Sequence, residues 1–216
     1  MVKISAILLG AGESKRMGVN KLNLRWGTKT IFERCLDALL RSNVTETIVV
    51  LNRKPGRFPT SWQGRGVKVV VNPLFRRGMS TSIRRGIKAV DRRSEGILIA
   101  LGDHPFLQTR TINALIRVFA RGRRTIIVPS FRKKKGHPVI FHRKYRKELL
   151  TLRGDVGARS IVEHHIDDVG VVPVKSEGVV KDIDTPEDYY KRIPFESLER
   201  MDEPRGVPIA GLKMKE

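Results

Sequence analysis

Short apolar runs alternate with amphipathic segments along most of this chain, and this alternation limits the possible folds more than any other feature. The apolar runs predict strands at 4–9, 47–51, 67–71, 97–101, 125–129 and 169–174, and a further strand is predicted to leave a tight turn within 136–141. The amphipathic segments predict helices at 30–41, 81–90, 109–121, 158–165 and 186–191. Continuous apolar runs suit strands that are buried on both faces. The chain is therefore predicted to be an α/β protein with a mostly parallel sheet, whose ligands bind beyond the carboxyl ends of the strands.

The 216 residues predict one domain at 1–193 and a C-terminal tail or docking segment at 194–216, where the regular pattern fades. Residues 55–66 are predicted to form a loop. The basic run 132–136 is interpreted as a solvated hairpin tip or, alternatively, as a specific anion site. Cys35 is the only cysteine, which excludes an intramolecular disulfide and a cysteine zinc site. No apolar run approaches a membrane span, so we expect a cytoplasmic protein with no membrane partner.

The formal net charge is +21, which favours anionic partners such as nucleotides, nucleic acids or acidic proteins. The alternative is a generally basic, solvated surface. Aromatic residues make up only 6% of the chain, which argues against a platform that stacks the bases of single strands. No helix-turn-helix, zinc-finger or RNP pattern is visible, so a nucleic-acid partner is not expected.

The segment that follows the first predicted strand, LLGAGESKRMGVNK at 8–21, has the composition of a phosphate-binding loop. We expect Gly10 and Gly12 to turn the chain tightly and to expose backbone N–H groups, which form anion sites. Arg16 and Lys21, together with Lys15, add positive charge. The spacing of the glycines is not the dinucleotide-binding fingerprint, and no Gly-Lys-Ser/Thr follows them as in a Walker A loop.

Three aspartates are candidates for a metal site. Asp103 follows the fourth predicted strand in the sequence GDHP, where it is either a Mg²⁺ ligand or a turn-forming residue. Asp182 and Asp184 flank Ile183, so in an extended segment the two carboxylates share one face. Residues 185–188 have the pattern of a helix start, which leaves Asp182 and Asp184 to be explained by a metal site formed with Asp103.

Other polar residues have both a structural and a functional interpretation. Ser80 and Ser82 begin a predicted helix, where capping is the default role and ligand binding the alternative. Asp155 is a candidate cap, and Arg159 would either pair with Asp155 or reach an anion. None of the five histidines has the spacing of a metal site.

Taken in order, six motifs resemble those of the MobA-like nucleotidyltransferases, and most closely the molybdenum cofactor cytidylyltransferase branch. The family pattern L-x-A-G-x-S-x-R-M-G-x-x-K fits residues 9–21, and G-D-x-P fits 102–105. N…G-M-x-x-S…G, G-x-P-V-x-F, L-x-G-D-x-G-A-R and D-I-D-T-P-E-D fit segments that begin at residues 72, 136, 152 and 182. The resemblance covers about 4–191. It implies a three-layer Rossmann-like fold of the GT-A nucleotidyltransferase type, with a mostly parallel mixed sheet.

The resemblance also implies a reaction in which the terminal phosphate of molybdopterin attacks the α-phosphorus of CTP and pyrophosphate leaves. It assigns catalytic roles to Arg16, Lys21 and Asp103, and a Mg²⁺ or Mn²⁺ ion to Asp103 and Asp184, with Asp182 as a further ligand. The implied nucleotide-binding residues are Leu9, Gly10, Ala11, Gly12, Ser14, Arg16, Lys21, Ser80, Ser82, Gly102 and Asp103. The implied acceptor-binding residues are Gly136, His137, Pro138, Asp155 and Arg159.

Ala11 and the 78–82 segment favour CTP, because guanylyl-transferring relatives tend to begin with L-A-G-G. Gly10 departs from the alanine that is usual in the cytidylyl branch. A molybdenum cofactor guanylyltransferase and another small NTP:phosphate-acceptor transferase therefore stay open. Two other classes are a basic nucleic-acid-binding protein and a catalytically silent scaffold that delivers the cofactor. A molybdenum hydroxylase, or its cofactor chaperone, is the protein partner that the resemblance implies.

Overall fold

The computed structural model describes residues 2–53 and 66–194. Its strands are β1 (Ile4–Gly10), β2 (Arg25–Trp26), β3 (Lys29–Thr30), β4 (Glu46–Leu51), β5 (Val67–Val71), β6 (Gly96–Leu101), β7 (Ile126–Phe131), β8 (Lys134–Lys135), β9 (Val139–His142) and β10 (Val169–Pro173). Its α-helices are α1 (Ile31–Leu40), α2 (Met79–Ala89), α3 (Thr109–Ala120), α4 (Arg146–Thr151), α5 (Arg159–His164) and α6 (Pro186–Arg192).

The main sheet has the order β10-β7-β9-β6-β1-β4-β5, and β8 pairs with the carboxyl end of β7. Neighbouring strands are parallel except that β9 runs antiparallel to both β6 and β7, and the short β8 runs antiparallel to β7. The prediction of a mostly parallel sheet is therefore confirmed, with β9 as the inserted exception that makes the sheet mixed.

Along each central strand, successive side chains point to opposite faces of the sheet and are buried against the helices on that face. In β1, Ile4, Ala6 and Leu8 pack into a core that includes α1 and α3, whereas Ile7 and Leu9 pack into a core that includes α2, α4 and α5. All of these side chains are less than a tenth exposed. Burial on both faces explains why the strand sequences are continuously apolar rather than alternating.

A third, smaller core joins α6 to the β2–β3 hairpin. Trp26, Ile183 and Tyr189 are buried there, and the Tyr189 hydroxyl donates to the Arg25 carbonyl oxygen at 2.8 Å. Met17, from the segment that follows β1, belongs to the same cluster. This core therefore holds the 182–184 segment beside the loop that follows β1.

The predicted helices and strands agree with the observed elements to within two residues at each end. The prediction missed α4 and the strands β2, β3 and β8, because two-residue strands and a six-residue helix are too short to show a periodic pattern. Arg132 and Lys133 form the tip of the hairpin between β7 and β8, and residues 132–135 are all exposed, as the first interpretation of the basic run stated.

Within residues 2–53 and 66–194, no helix is long and apolar enough to cross a membrane. The predicted tail at 194–216 lies almost entirely outside the described residues, as does nearly all of the predicted loop at 55–66. Both remain predictions.

Candidate nucleotide-binding site

The candidate site lies where β1 and β6 end side by side. The two strands are parallel neighbours, and Leu9 of β1 is in register with Leu101 of β6. The loop that follows β1 and the turn that carries Asp103 therefore meet at the carboxyl edge of the sheet, where α/β proteins bind ligands. Together with the start of α2 and the 182–184 segment they border a cleft of about 740 Å³.

The loop after β1 turns at positions other than those expected. Positive φ angles occur at Ser14 (53°) and Gly18 (68°), and not at Gly10 or Gly12. Gly10 is instead required by packing, because a Cβ atom there would lie 2.5 Å from a ring carbon of Phe32. The expectation that Gly10 and Gly12 make the tight turn was therefore wrong.

The loop nevertheless has the unpaired donors of an anion site. Among the hydrogen bonds between described residues, none is donated by a backbone N–H group of residues 12–16. The loop is closed farther on, where the N–H of Lys21 donates to the Ser14 hydroxyl oxygen at 3.2 Å. Leu9, Ala11, Gly12, Ser14 and Arg16 all line the cleft.

Lys21 is the basic residue at the centre of the site. Its Nζ lies 2.7 Å from Oδ2 of Asp103 and 2.6 Å from Oδ1 of Asp184, and its side chain is only 12% exposed. Burial by itself would lower the pKa of Lys21, but the two carboxylates outweigh it and raise the pKa above its ordinary value. Arg16 reaches the same group from solvent, with its guanidinium 2.9 Å from Oδ2 of Asp184.

Asp103, Asp182 and Asp184 converge in the cleft, and each offers one carboxylate oxygen within 4.8 Å of the others. A backbone hydrogen bond from the Ile183 N–H to the Asp103 carbonyl oxygen, at 3.0 Å, joins the two segments. Burial, followed by repulsion from Asp184 and Asp103, raises the pKa of Asp182.

A hard divalent cation fits this group. Oδ1 of Asp103 is buried without a hydrogen-bond partner in the described part of the chain, which leaves an acceptor to be satisfied. Carboxylate oxygens are the ligands that Mg²⁺ and Mn²⁺ prefer. Asp103 and Asp184, with Asp182, would hold the ion.

Two histidines that the motifs did not single out as a pair lie behind Asp103. Nε2 of His104 is 3.9 Å from Oδ1 of Asp103, and the ring of His104 packs edge to face on that of His137 at 5.9 Å. Burial, and then the neighbouring His104, lowers the pKa of His137 to about 4, so this imidazole is neutral near pH 7. The position of His104 directly after Asp103 was the only sequence signal for this arrangement.

The hydroxyl residues at the start of α2 do not cap the helix, which corrects the default interpretation. Nδ2 of Asn72 donates to the hydroxyl oxygens of Thr81 and Ser82, both at 2.9 Å. Oγ of Ser80 is buried and has no partner among the described residues. The first turn is instead satisfied by Asp155, whose Oδ1 accepts from the Met79 N–H at 2.8 Å. Asp155 thus acts as a cap for α2 rather than for the helix that follows it in sequence.

Most of the predicted acceptor residues do not line the cleft. Of the five, only Asp155 lines the cleft. Arg159 pairs with Glu163 at 2.7 Å rather than with Asp155. Gly136 lies against the backbone of Val179, where an added Cβ would come within 2.0 Å of the carbonyl oxygen.

Gly102 has a packing role similar to that of Gly10, since a Cβ there would lie 2.8 Å from the Leu9 carbonyl oxygen. The cleft also contains residues that the sequence analysis did not name as nucleotide ligands. Examples are Glu13, Phe75, Arg76, Arg77 and Met79. Arg76 pairs with Glu13 at 3.0 Å, so part of this basic charge is neutralised inside the cleft.

Three curated proteins are similar over most of their length. The purine catabolism protein PucB of Bacillus subtilis is 30% identical, with 85% of this chain and 92% of that protein covered. The nicotine blue oxidoreductase of Paenarthrobacter nicotinovorans is 27% identical, covering 87% and 95%. The molybdenum cofactor cytidylyltransferase of Escherichia coli K12 is 24% identical, covering 88% and 95%.

A solved structure has a similar fold. Rv0371c from Mycobacterium tuberculosis, in a complex with manganese, superposes with a TM-score of 0.70 at 26% identity, covering 88% of this chain and 97% of that one. Residues 6–169 of this chain match the MobA-like NTP transferase domain. The motifs, the mixed sheet and this match together place the chain in the MobA-like NTP transferase family.

Proposed function

We propose that this protein transfers a cytidylyl group from CTP to the terminal phosphate of the molybdenum cofactor, which yields molybdopterin cytosine dinucleotide and pyrophosphate. The observation that carries the proposal is the convergence of Lys21, Asp103 and Asp184 beside a loop with unpaired backbone N–H groups. This arrangement suits a triphosphate together with a divalent cation. The similarity to the E. coli molybdenum cofactor cytidylyltransferase supports the choice of substrates.

The loop and its cations would bind the triphosphate. The N–H groups of residues 12–16 would hydrogen-bond to phosphate oxygens, and Arg16 would turn from Asp184 toward them. Arg16 is free to do so because its side chain is 72% exposed. When the ion binds, the ammonium group of Lys21 would give up its contacts to Asp103 and Asp184 and would place its positive charge beside the phosphates.

Asp103 and Asp184, with Asp182, would hold a Mg²⁺ or Mn²⁺ ion. When bound, the ion would neutralise charge on the triphosphate and polarise the phosphoryl group that is attacked. An acceptor phosphate oxygen forms the new bond to the α-phosphorus, and the bond from the α-phosphorus to the oxygen that bridges to the β-phosphorus breaks. The acceptor phosphate is already anionic, so no strong base is required. The work of this chain's residues is therefore positioning and charge stabilisation.

Base selection would involve Ala11 and the start of α2. Ala11 and Ser82 both line the cleft, and the hydroxyl of Ser82 already accepts a hydrogen bond from Asn72. The buried, unpartnered hydroxyl of Ser80 lies on the same helical turn. We propose that this wall of the cleft contacts the base and that Asp155, at its edge, lies toward the acceptor.

The test is pyrophosphate release from each nucleoside triphosphate in the presence of purified molybdopterin that carries molybdenum. We expect release with CTP and Mg²⁺, and little with GTP. Release with GTP and not with CTP would instead identify a guanylyltransferase of the same family. A molybdenum hydroxylase as the recipient of the product stays a prediction.

Asp103→Asn tests the acidic group directly. The substitution keeps the shape and removes the negative charge, so we expect turnover to fall by at least about a hundredfold while the fold persists. Asp167→Asn is the matched control, because Asp167 is exposed and does not line the cleft. Near-normal turnover in Asp103→Asn would remove Asp103 from the metal site.

A further inference from the structure

The large positive charge of this protein is not concentrated in the candidate nucleotide site. Five basic residues line that cleft, and five acidic residues line it as well. The lining is therefore electrically balanced before any ligand binds. The residues that give the formal charge of +21 therefore lie elsewhere on the molecule.

A second groove, of about 750 Å³, is lined by basic and apolar residues and so is not electrically balanced. It lies between the end of α2 and the start of α4. Buried Val90 and Ile97, with the half-buried Leu150, supply its apolar lining. No acidic residue is among the described residues that line it. Its basic residues are Lys88, Arg92, Arg143, Lys144, Arg146 and Lys147.

Five of these six cations lack an acidic partner. Lys144 pairs with Asp168 at 3.0 Å and lies over the ring of Tyr145. The other five make no ion pair with any described carboxylate, and most of them are exposed. Like charges that crowd one groove repel each other, and an anionic partner would relieve that repulsion.

The groove lies at the amino ends of the strands, whereas the candidate nucleotide site lies at their carboxyl ends. Ile97 lines it near the amino end of β6, whereas Asp103 follows the carboxyl end of the same strand. Five residue steps of strand at about 3.3 Å each separate the two ends of β6 by about 17 Å. A partner in this groove would therefore leave the nucleotide cleft open.

We propose that this groove is a docking site for an acidic segment of a partner protein, with an apolar side chain seated among Val90, Ile97 and Leu150. The concave shape and apolar lining suit a peptide better than a duplex, which would meet the cations only at the rim. No aromatic residue is among the described lining residues, so single-stranded bases have nothing to stack on. The proposal does not depend on which nucleotide the cleft binds.

The experiment measures the fluorescence anisotropy of a labelled synthetic peptide that repeats the sequence Leu-Glu-Glu-Asp, at about 0.15 M NaCl. R92E/R143E/K147E reverses three exposed charges of the groove. R117E/R121E/R123E is the control. It changes the net charge of the protein by the same amount, at exposed residues of α3 and of the segment that follows it. Thermal melting of both variants checks that they fold.

We expect the groove variant to bind the peptide at least about tenfold more weakly than the unmodified protein, and the control to stay within about twofold. An all-glutamate peptide of equal length should also bind about tenfold more weakly, because it has no apolar side chain to bury. CTP should not displace the peptide.

Four results would overturn the proposal. These are no peptide binding, equal losses in both variants, displacement of the peptide by CTP, and tighter groove-dependent binding of duplex DNA or anionic vesicles than of the peptide. The last result would reassign the groove to nucleic acid or lipid. Loss of cytidylyl transfer in Asp103→Asn with intact peptide binding separates this proposal from the proposed function.

Discussion

Replacing Lys21 with methionine should destabilise the protein, and the contacts of Lys21 set the size of the effect. Nζ makes two charge-assisted contacts, at 2.7 Å to Asp103 and 2.6 Å to Asp184. Each contact of this kind contributes about 1.5–3 kcal/mol net. The two carboxylates are 21% and 26% exposed, so water replaces part of the lost interaction. We therefore expect the free energy of unfolding to fall by about 2–3 kcal/mol, below the sum of the two contacts.

The measurement is urea unfolding followed by circular dichroism near pH 7, with EDTA present. Lys15→Met is the matched control, because Lys15 pairs with Glu13 at 3.3 Å but its side chain is 82% exposed. Such an exposed pair contributes less than about 1 kcal/mol. If the two substitutions had equal effects, the buried pairing of Lys21 would not be a stabilising feature of the site.

The same variant reports on the divalent cation. In the unliganded protein Nζ of Lys21 lies against the oxygens that would ligate the ion, so Lys21 and a divalent cation compete for them. Without the ammonium group, Mn²⁺ should raise the melting temperature of Lys21→Met by more than it raises that of the unmodified protein. An equal or smaller shift would argue that the ion binds elsewhere.

Two further predictions concern packing and pH. Gly136→Ala should lower the free energy of unfolding by more than about 2 kcal/mol in chemical denaturation, because its Cβ would come within 2.0 Å of the Val179 carbonyl oxygen. Gly12→Ala, which meets nothing within 4 Å, should stay within about 1 kcal/mol. Burial opposes the ionisation of Glu46, but hydrogen bonds from Lys68 and Ser5 outweigh it and lower its pKa below the ordinary value of 4.5. The stability that Glu46 contributes is therefore present above pH 4.5 and is lost as pH falls through the lowered pKa, so the deficit of Glu46→Gln at pH 7 should vanish in strong acid. A deficit that is independent of pH would show that the charge of Glu46 does not matter.

Much of the candidate site could be predicted because its signals are local. The continuous apolar runs required strands buried on both faces, and the strands form the central sheet. The spacing of Asp182 and Asp184 around Ile183 placed two carboxylates on one side of an extended segment, and both line the cleft. Thr185 and Asp188 form the capping box that the sequence pattern indicates.

Other features depend on segments that are far apart in the chain. Lys21 meets Asp103 across 82 residues and Asp184 across 163. Asp155 caps α2, which begins 76 residues earlier, although its sequence neighbours suggested a cap for the next helix. The turn residues of the loop after β1 also differ from the expected ones. Gly10 ends β1, where a Cβ atom would lie 2.5 Å from a ring carbon of Phe32, and the positive φ angles fall at Ser14 and Gly18.

The amino-acid sequence alone predicted the α/β class, the positions of most strands and helices, and the positions of the loop after β1 and of the two acidic segments. These features follow from the burial and hydrogen bonding of consecutive residues. Only the tertiary structure determined that β9 inserts antiparallel, that Lys21 bridges two aspartates, and that unpaired basic residues meet between α2 and α4. Such contacts depend on how the helices and strands pack as a whole, and no short stretch of sequence contains that information.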